Sequence, residues 1–292
     1  MKLRDFGIVL ENVDLKNYNT YKIGGIAKYV VKPNSVDNLI DLIEYLKREN
    51  IEYFVLGKGS NVILSDEDFD GVVILLDNLN KCDINENIVK VEVGIVLGTF
   101  IMNLVNNNLG GLENLCGIPG TLGGAIVGNA GCYGSQISDY LVNVTYLEDG
   151  EVKTISKNEC EFSYRDSLFK RDKNKIVLSC KFSLNKSNKE IMLNIIKENT
   201  LKRKNSQPLE YPNAGSVFRN PEGVAAGKLI EDLGLKDYNI NGAYVSNKHA
   251  NFIINKDNAT SDDIIKLIEC IKEKVEKEYG IKLILEQEIV KY

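Results

Sequence analysis

The sequence has 292 residues, a length that favours two or three domains over one small module. Its 43% hydrophobic and 26% charged residues are typical of a globular protein and argue against disorder, collagen or a coiled coil. Its 36 basic and 41 acidic residues give a net charge of −5, which offers no general positive field for binding nucleic acid.

The hydropathy pattern predicts a protein without a membrane segment. The longest strongly apolar run, Val72 to Leu76, is far too short to cross a bilayer. The first residues, MKLRDFGIVLENVD, contain acids before the apolar core of a signal peptide develops. We therefore expect a cytoplasmic protein that is not inserted in the membrane.

The cysteine and histidine content predicts no metal site. Six cysteines are scattered without any Cys-x-x-Cys pair, and His249 is the only histidine. In a cytoplasmic protein we expect these thiols to be reduced and mostly buried. His249 lies in an apolar stretch, GAYVSNKHANFII, and is predicted to be structural.

The first half of the chain interleaves predicted helices and strands. Ser35 precedes apolar residues at helical spacing from Val36 to Leu46, which predicts a capped surface helix. Helical spacing returns between Leu97 and Val105. The predicted strands of this half are Tyr53–Leu56, Val72–Leu76 and Ile88–Val93.

Two glycine-rich segments interrupt these elements. Gly57 to Asn61 (GKGSN) follows a predicted strand, and the stretch from Gly110 to Gly134 contains nine of the 24 glycines. Small residues allow backbone N–H groups to converge on an anion, so the two segments could hold one diphosphate. The first segment matches neither a P-loop nor a dinucleotide fingerprint. The alternative, that both segments are tight connections, stays open.

The second half also mixes helices and strands. Helical spacing from Ser187 to Lys204, with Ser187 and Glu190 spaced as a capping box, predicts a charged helix that bridges two domains. A further helix is predicted to begin at Thr260-Ser261 and to end at Gly280. The predicted strands of this half are Val142–Leu147, Val152–Ile155, Lys175–Phe182 and Lys282–Val290.

Three places carry reactive side chains, each with an alternative interpretation. Arg165 could stabilise an anion, or it could form a surface ion pair with Asp166. Ser216 could expose a reactive hydroxyl, or it could lie in a turn. Glu286 and Glu288 share one face of the predicted final strand. A glutamate there could be a proton donor with a raised pKa or a charge that protects a sheet edge.

Seven motifs carry a resemblance that spans nearly the whole chain. They are NTYKIGG at 19–25, LGKGSNVILSD at 56–66, GIPGTLGGAIVGNAGCYG at 117–134, FSYRDSLFK at 162–170, QPLEYPNAGSVFRNP at 207–221, AGKLIEDLGLK at 226–236 and VSNKHANFIIN at 245–255. Together they resemble the UDP-N-acetylenolpyruvoylglucosamine reductase family, flavoenzymes of bacterial peptidoglycan precursor synthesis. The short segment between Arg165 and Ser216 resembles the shorter type of this family, which lacks an inserted loop with a substrate-facing tyrosine.

The resemblance implies an α+β protein with an FAD-binding fold of the vanillyl-alcohol-oxidase type. Its two FAD-binding subdomains are expected at 1–80 and 81–204, and a C-terminal α+β substrate-binding domain at 205–292. The FAD is expected to be non-covalent, because the glycine-rich loops contain no histidine to which flavin could be attached. The expected FAD-binding residues are Gly57, Gly59, Ser60, Asn61, Pro119, Gly120, Thr121, Gly123, Gly124, Asn129 and Gly131.

The resemblance also implies a reaction. NADPH would reduce FAD and leave, and the enolpyruvyl UDP-sugar would then receive a hydride at its terminal vinyl carbon. Arg165 and Glu288 would stabilise the resulting enolate, and Ser216 would protonate it to give UDP-N-acetylmuramate. Arg219 and Asn220 would help to bind the diphosphate or the carboxylate of the substrate.

Two other functions remain open at this point. An FAD oxidase or dehydrogenase of the same fold could act on an alcohol or a sugar, although the presence of Arg165, Ser216 and Glu288 argues against it. A flavin-binding module without turnover would be attractive only if one of these three residues were missing. Lys204 is a candidate for the substrate-contacting lysine of longer relatives. The sequence leaves the oligomeric state open.

Overall fold

Short strands and helices alternate along residues 2–292, the part of the chain that this computed structural model describes. The helices are α1 (Val36–Arg48), α2 (Leu97–Asn106), α3 (Leu122–Val127), α4 (Leu168–Arg171), α5 (Lys189–Ser206), α6 (Ala226–Asp232) and α7 (Ser261–Tyr279). The first nine strands are β1 (Gly7–Asp14), β2 (Ile26–Pro33), β3 (Tyr53–Leu56), β4 (Val62–Leu64), β5 (Phe69–Leu75), β6 (Cys82–Asn85), β7 (Ile88–Glu92), β8 (Leu109–Gly110) and β9 (Gly131–Cys132). The remaining strands are β10 (Ser135–Gln136), β11 (Leu141–Glu148), β12 (Glu151–Ser156), β13 (Ile176–Ser183), β14 (Asn185–Lys186), β15 (Asn239–Ile240), β16 (Ala243–Val245), β17 (Ile253–Asn255) and β18 (Glu288–Val290). This content confirms the predicted α+β class.

Capping residues confirm the predicted start of α1 and both predicted ends of α7. The Ser35 side chain accepts a hydrogen bond from the N–H of Asn38 at the start of α1. Thr260 does the same for Asp263 at the start of α7, and Gly280 ends that helix with a left-handed φ of 67°. The Ser35 and Thr260 side chains mark the start of their helices because they satisfy N–H groups that have no partner inside the helix.

The predicted start of α5 is wrong by one residue. The Asn188 side-chain oxygen accepts hydrogen bonds from the N–H groups of Glu190 and Ile191, at 2.8 and 3.3 Å. The N–H of Ser187 instead donates to the carbonyl of Asn108, at 2.9 Å. Asn188 therefore caps α5, which begins at Lys189, and Ser187 belongs to the connection that precedes it.

The predicted strand from Lys282 to Val290 is shorter than expected. Only Glu288–Val290 forms a strand, β18, which pairs in parallel with β4. Before it, Leu285 makes an isolated bridge with Phe218. The predicted strand is broken because its first part pairs with Phe218 and its last part pairs with β4. An alternating sequence pattern cannot reveal such a change of pairing partner.

The chain forms two compact units. Unit 1 contains the chain up to Glu11, Tyr29–Gly57 and Gly71–Leu201, and unit 2 contains Asn12–Lys28, Lys58–Asp70 and Lys202–Tyr292. The three-domain division expected from the sequence stays a prediction.

Each unit has its own sheet and apolar core. In unit 1, a five-stranded antiparallel sheet has the order β12-β11-β13-β7-β6, and the rings of Phe100 and Phe182 pack 5.5 Å apart in the core. In unit 2, a three-stranded sheet has the order β15-β16-β17, and Ile230 and Leu267 lie in a core with the buried ring of Tyr21. A further sheet of the chain has the order β1-β2-β5-β3.

Two kinds of feature are absent from residues 2–292. No helix in this range combines the length and the apolar character needed to span a bilayer. In the same range, no three histidine, cysteine, aspartate or glutamate side chains converge as metal ligands would.

Candidate functional site

The two glycine-rich segments adjoin within unit 1, at Gly57 and Thr121. A Cβ atom placed on Gly57 would lie only 3.0 Å from the Thr121 hydroxyl oxygen. Thr121 caps α3 by accepting a hydrogen bond from the N–H of Gly124, at 3.2 Å. Gly57 and Thr121, which lie far apart in the sequence, are therefore neighbours within unit 1, and a side chain at position 57 would fill the space between them.

Part of the glycine content of the second segment is explained by packing within the protein. A Cβ atom on Gly123 would lie 3.1 Å from the Cβ of Val93, and the N–H of Gly123 donates to the Val93 carbonyl at 2.9 Å. The N–H of Gly124 is taken by Thr121. These two N–H groups therefore serve the fold, and Gly123 and Gly124 would shape an FAD site rather than donate to its diphosphate.

Asn129 carries a buried acceptor that fits a bound group. Its side chain is 2% exposed, and its amide nitrogen donates to the Ser163 carbonyl at 2.8 Å and to the Gln136 side chain at 3.0 Å. Its amide oxygen is buried and accepts no hydrogen bond from residues 2–292. A buried acceptor calls for a donor. FAD brings N–H and O–H donors, whereas its diphosphate has only acceptors, so Asn129 fits FAD away from the diphosphate.

Arg165 lies at the tip of a tight turn of unit 1. Its φ of 57° is in the left-handed region, which costs a non-glycine residue about 1–2 kcal/mol. Ser163 and Asp166 exchange two backbone hydrogen bonds across the turn, at 3.1 and 3.2 Å. The Lys170 ammonium donates to the Arg165 carbonyl at 3.2 Å, and Arg171 forms an ion pair with Asp166. Four neighbours therefore hold the backbone that presents Arg165.

The same turn is attached to the glycine-rich segment at two points. The Ser167 hydroxyl donates to the Val127 carbonyl at 2.7 Å, and Asn129 donates to the Ser163 carbonyl. Ser167 is fully buried and also caps α4. The segment expected to hold the cofactor and the turn that carries Arg165 are thus one connected structure.

In unit 2, the strand that carries Glu288 lies beside the end of the first glycine-rich loop. Glu288 pairs with Val62, and its N–H donates to the Asn61 carbonyl at 3.0 Å. The Asn61 side chain in turn donates to the Glu286 carbonyl at 3.2 Å. Asn61 therefore joins the loop to the segment that contains both candidate glutamates.

The segment after Ser216 pairs with the residues just before Glu288. The N–H of Glu286 donates to the Val217 carbonyl at 2.8 Å, and the N–H of Val217 donates to the Asn251 carbonyl at 2.9 Å. Asn251 also binds both backbone groups of Phe218 with its side chain, at 3.0 and 2.8 Å. Two of the predicted site residues, Ser216 and Glu288, are therefore brought together on adjoining segments of unit 2.

A buried glutamine, Gln287, contacts the residues that precede Ser216. Its amide nitrogen donates to the carbonyls of Ala214 and Gly215, at 3.1 and 3.2 Å. Its amide oxygen accepts from the Tyr21 hydroxyl at 3.1 Å, and burial raises the pKa of Tyr21, which keeps that hydroxyl neutral. The sequence analysis missed this contact, because Tyr21 is separated from Gln287 by almost the whole chain and no local pattern links them.

The residues predicted to bind the substrate also lie in unit 2. The N–H of Arg219 donates to the Ile284 carbonyl at 2.9 Å, next to the Phe218–Leu285 bridge. The Asn220 side-chain oxygen accepts from the N–H of Ala226 at 3.0 Å, where α6 begins, so only its amide nitrogen would serve a substrate. Lys204 is exposed, and its carbonyl accepts a hydrogen bond from the side chain of Lys248 at 2.6 Å.

Comparisons with known proteins match most of the chain. Residues 207–290 match the family model for the C-terminal domain of UDP-N-acetylenolpyruvoylglucosamine reductase, and residues 27–156 match an FAD binding domain. The reductase of Carboxydothermus hydrogenoformans is 45% identical over 97% of this chain and 94% of its own length. The reductase of Thermotoga maritima is 43% identical over 94% of this chain and 96% of its own length.

Solved structures agree with these matches. The crystal structure of the reductase from Thermus caldophilus has a TM-score of 0.81 at 31% identity, and the match covers 97% of this chain and 98% of that one. The glucose dehydrogenase Phl p 4.0202 has a TM-score of 0.50 at 14% identity, over 64% of this chain and 42% of that one. At so low an identity, the second match shows a shared fold only.

Proposed function

The chain belongs to the UDP-N-acetylenolpyruvoylglucosamine reductase family of FAD-dependent oxidoreductases, and we propose that it reduces UDP-N-acetylglucosamine enolpyruvate to UDP-N-acetylmuramate with NADPH. The observation that carries this proposal is the pairing of β18 with β4. It sets Glu288 beside Asn61, while the adjoining segment before β18 binds the residues that follow Ser216. A proton donor and an acid on adjoining segments suit the reduction of a carbon–carbon double bond.

The cofactor is proposed to bind without a covalent link. Asn129 would accept a hydrogen bond from FAD, and the other residues would contact its diphosphate or shape the site. These are Gly57, Gly59, Ser60, Asn61, Pro119, Gly120, Thr121, Gly123, Gly124 and Gly131. When bound, FAD supplies the hydride-transfer chemistry that the side chains of this protein lack.

Arg165 and Glu288 are proposed to stabilise the charge that develops on the substrate. Addition of a hydride to the terminal vinyl carbon leaves a negative charge on the neighbouring carbon and on its carboxylate. The Arg165 guanidinium is always charged and can hold a carboxylate with two hydrogen bonds. The Glu288 carboxyl group would supply the second contact to this charge. Removing a contact of this kind costs about 3 kcal/mol in a site closed to water.

Ser216 is proposed to protonate the carbon next to the carboxylate. Its O–H bond breaks as the new C–H bond forms, and the alkoxide then regains a proton from solvent. A serine is a very weak acid, so the transfer requires a fixed hydroxyl and neighbouring donors. The hydrogen bonds on both sides of Ser216 support a fixed position. Arg219 and the amide nitrogen of Asn220 would bind the diphosphate or the carboxylate.

Anaerobic stopped-flow spectroscopy tests this function. The FAD-loaded enzyme is first reduced with NADPH and is then mixed either with the enolpyruvyl UDP-sugar or with oxygenated buffer. We expect the sugar to reoxidise the flavin rapidly and oxygen to do so slowly. Faster reoxidation by oxygen would instead identify an oxidase. Replacing NADPH by NADH in the first step tests the proposed hydride donor.

A further inference from the structure

We propose that Gln287 is a positioning residue, which holds the loop before Ser216 at a fixed place relative to Glu288. The inference rests on the proposed function, since it concerns how two residues of that reaction are aligned. Gln287 is not proposed to touch the substrate. It acts through the peptide groups of Ala214 and Gly215, to which its amide nitrogen donates.

The orientation of the Gln287 amide is set by its surroundings. Two carbonyl oxygens, of Ala214 and Gly215, face one end of the amide, so that end must be the NH₂ group. The other end meets the Tyr21 hydroxyl, which donates to the amide oxygen. Turning the amide over would bring three oxygen atoms together. Gln287 therefore has one favourable orientation, and Tyr21 reinforces it.

The loop before Ser216 depends on this contact. Gly215 has a left-handed φ of 76°, and its flexible backbone would allow other conformations. Its N–H donates to the Asn213 side chain at 3.0 Å, and its carbonyl accepts from Gln287 at 3.2 Å. The N–H and the carbonyl of Gly215, the residue directly before Ser216, are thus both held by side chains. Gln287 is 3% exposed, so water does not readily replace it.

Gln287 also links this loop to Glu288. It is the residue directly before Glu288, and the backbone on both sides of it is fixed. The N–H of Glu286 binds the Val217 carbonyl, and the N–H of Glu288 binds the Asn61 carbonyl. The Gln287 side chain adds a third connection, to the other side of Ser216. A shift of the loop relative to Glu288 would have to break these side-chain bonds.

The test compares Gln287→Met, Tyr21→Phe and the double variant in the two half-reactions. Methionine has a similar length to glutamine but cannot donate to the two carbonyls. For Gln287→Met we expect roughly a hundredfold slower reoxidation of reduced flavin by the enolpyruvyl UDP-sugar, the loss typical of a misplaced reacting group. Reduction by NADPH should stay within about twofold of wild type. Tyr21→Phe should have a smaller effect and should add little to Gln287→Met, because Tyr21 acts through Gln287.

Thr260→Ala is the matched control. It removes the cap of α7 in the same unit, where the Thr260 hydroxyl bonds to the N–H of Asp263, and should lower stability without changing either half-reaction. If Gln287→Met slows both half-reactions equally, or neither, the positioning role is wrong. An additive effect of Tyr21→Phe and Gln287→Met would remove Tyr21 from the arrangement.

Amide hydrogen exchange separates this inference from the proposed function. In Gln287→Met, the amides of residues 214–217 should exchange faster than in wild type, whereas those of the five-stranded sheet of unit 1 should not change. Unchanged exchange at 214–217 would overturn the proposal. If wild-type enzyme is not reoxidised by the sugar, the proposed function fails, and the exchange measurement still shows whether Gln287 holds the loop.

Discussion

Ser216 is the residue whose replacement separates the two halves of the proposed reaction. Ser216→Ala removes only a hydroxyl, and the hydrogen bonds of the flanking backbone do not involve it. We expect flavin reduction by NADPH to stay near the wild-type rate, while reduction of the enolpyruvyl UDP-sugar falls by a factor of roughly 10²–10⁴, the usual contribution of a proton donor. Single-turnover stopped-flow measurements of both steps check this. An equal loss in both steps would remove Ser216 from the donor role.

The two neighbouring glutamates can be distinguished by the same assay. Both are partly exposed, but only Glu288 lies within β18, where its N–H is held by Asn61. We expect Glu288→Gln to slow reoxidation by the sugar by a factor of roughly 10²–10³ and Glu286→Gln to leave it nearly unchanged. The reverse result would assign the acid to Glu286.

Among the helices, α4 is capped by Ser167, whose hydroxyl also forms a hydrogen bond to the second glycine-rich segment. Ser167→Ala removes the cap of α4 and the hydrogen bond to the Val127 carbonyl, and with it one attachment of the Arg165 turn. Ser35→Ala removes the cap of α1 and a hydrogen bond from the Ser35 hydroxyl to the Asn38 side chain, and is the control. We expect each variant to lose about 1 kcal/mol of unfolding free energy from the cap, with a larger loss for Ser167→Ala because the partly buried Val127 carbonyl is left without its donor.

The activities of these two variants should differ more than their stabilities. Ser167→Ala should slow reoxidation by the sugar, because the turn that presents Arg165 is loosened, whereas Ser35→Ala should not. Urea unfolding gives the stabilities, and stopped-flow gives the rates. Equal rates for the two variants would mean that the attachment at Val127 is not needed for the reaction.

The elements that could be predicted from the sequence are those whose signals are local. Helix α7 has its cap, its apolar spacing and its terminal glycine within 21 consecutive residues, from Thr260 to Gly280, and its predicted ends are confirmed. Strand β18 has no such local signal. Its extent depends on its pairing with β4, which lies far earlier in the sequence. Leu285, just before β18, bridges to Phe218 instead.

The same distinction holds in the candidate site. Ser216 could be selected because it lies in a recognisable motif, and Glu288 because it is one of two acids in the predicted final strand, although their roles stay predictions. Gln287 could not be selected, because its importance comes from Tyr21 and Gly215, which are brought to it only by the fold. The role of Gly123 in the FAD site stays a prediction, but the sequence could not show that Val93 occupies the space next to it.

At the scale of the whole molecule, we expect the single histidine, His249, to make the free energy of unfolding depend on pH. Burial lowers the pKa of His249 below its ordinary value of about 6.5, and its Nδ1 accepts from the N–H of Asn251 at 3.2 Å. Between the folded pKa and about 6.5, the unfolded chain binds the proton and the folded protein does not. The contribution of His249 to the free energy of unfolding is therefore fully present above about pH 6.5. It is lost as the pH drops toward the folded pKa, by at most about 1.4 kcal/mol per pH unit.

His249→Gln should remove this part of the pH dependence. Urea unfolding midpoints of wild type and variant, measured across that interval, should converge as the pH falls. Curves that stay parallel over the whole interval would show that another group is responsible for the loss.

The division of the chain into two units sets an order for its synthesis. All of unit 1 precedes Lys202, whereas unit 2 combines two early segments with everything after that residue. Unit 1 can therefore fold on the ribosome while β4 still waits for β18. We expect nascent chains halted near residue 250 to resist protease in unit 1 and to be cut within residues 58–70; equal resistance in both would contradict this order. Glu288 reaches its place only after β18 has paired with β4, so under the proposed function a nascent chain stays inactive until translation has passed this residue.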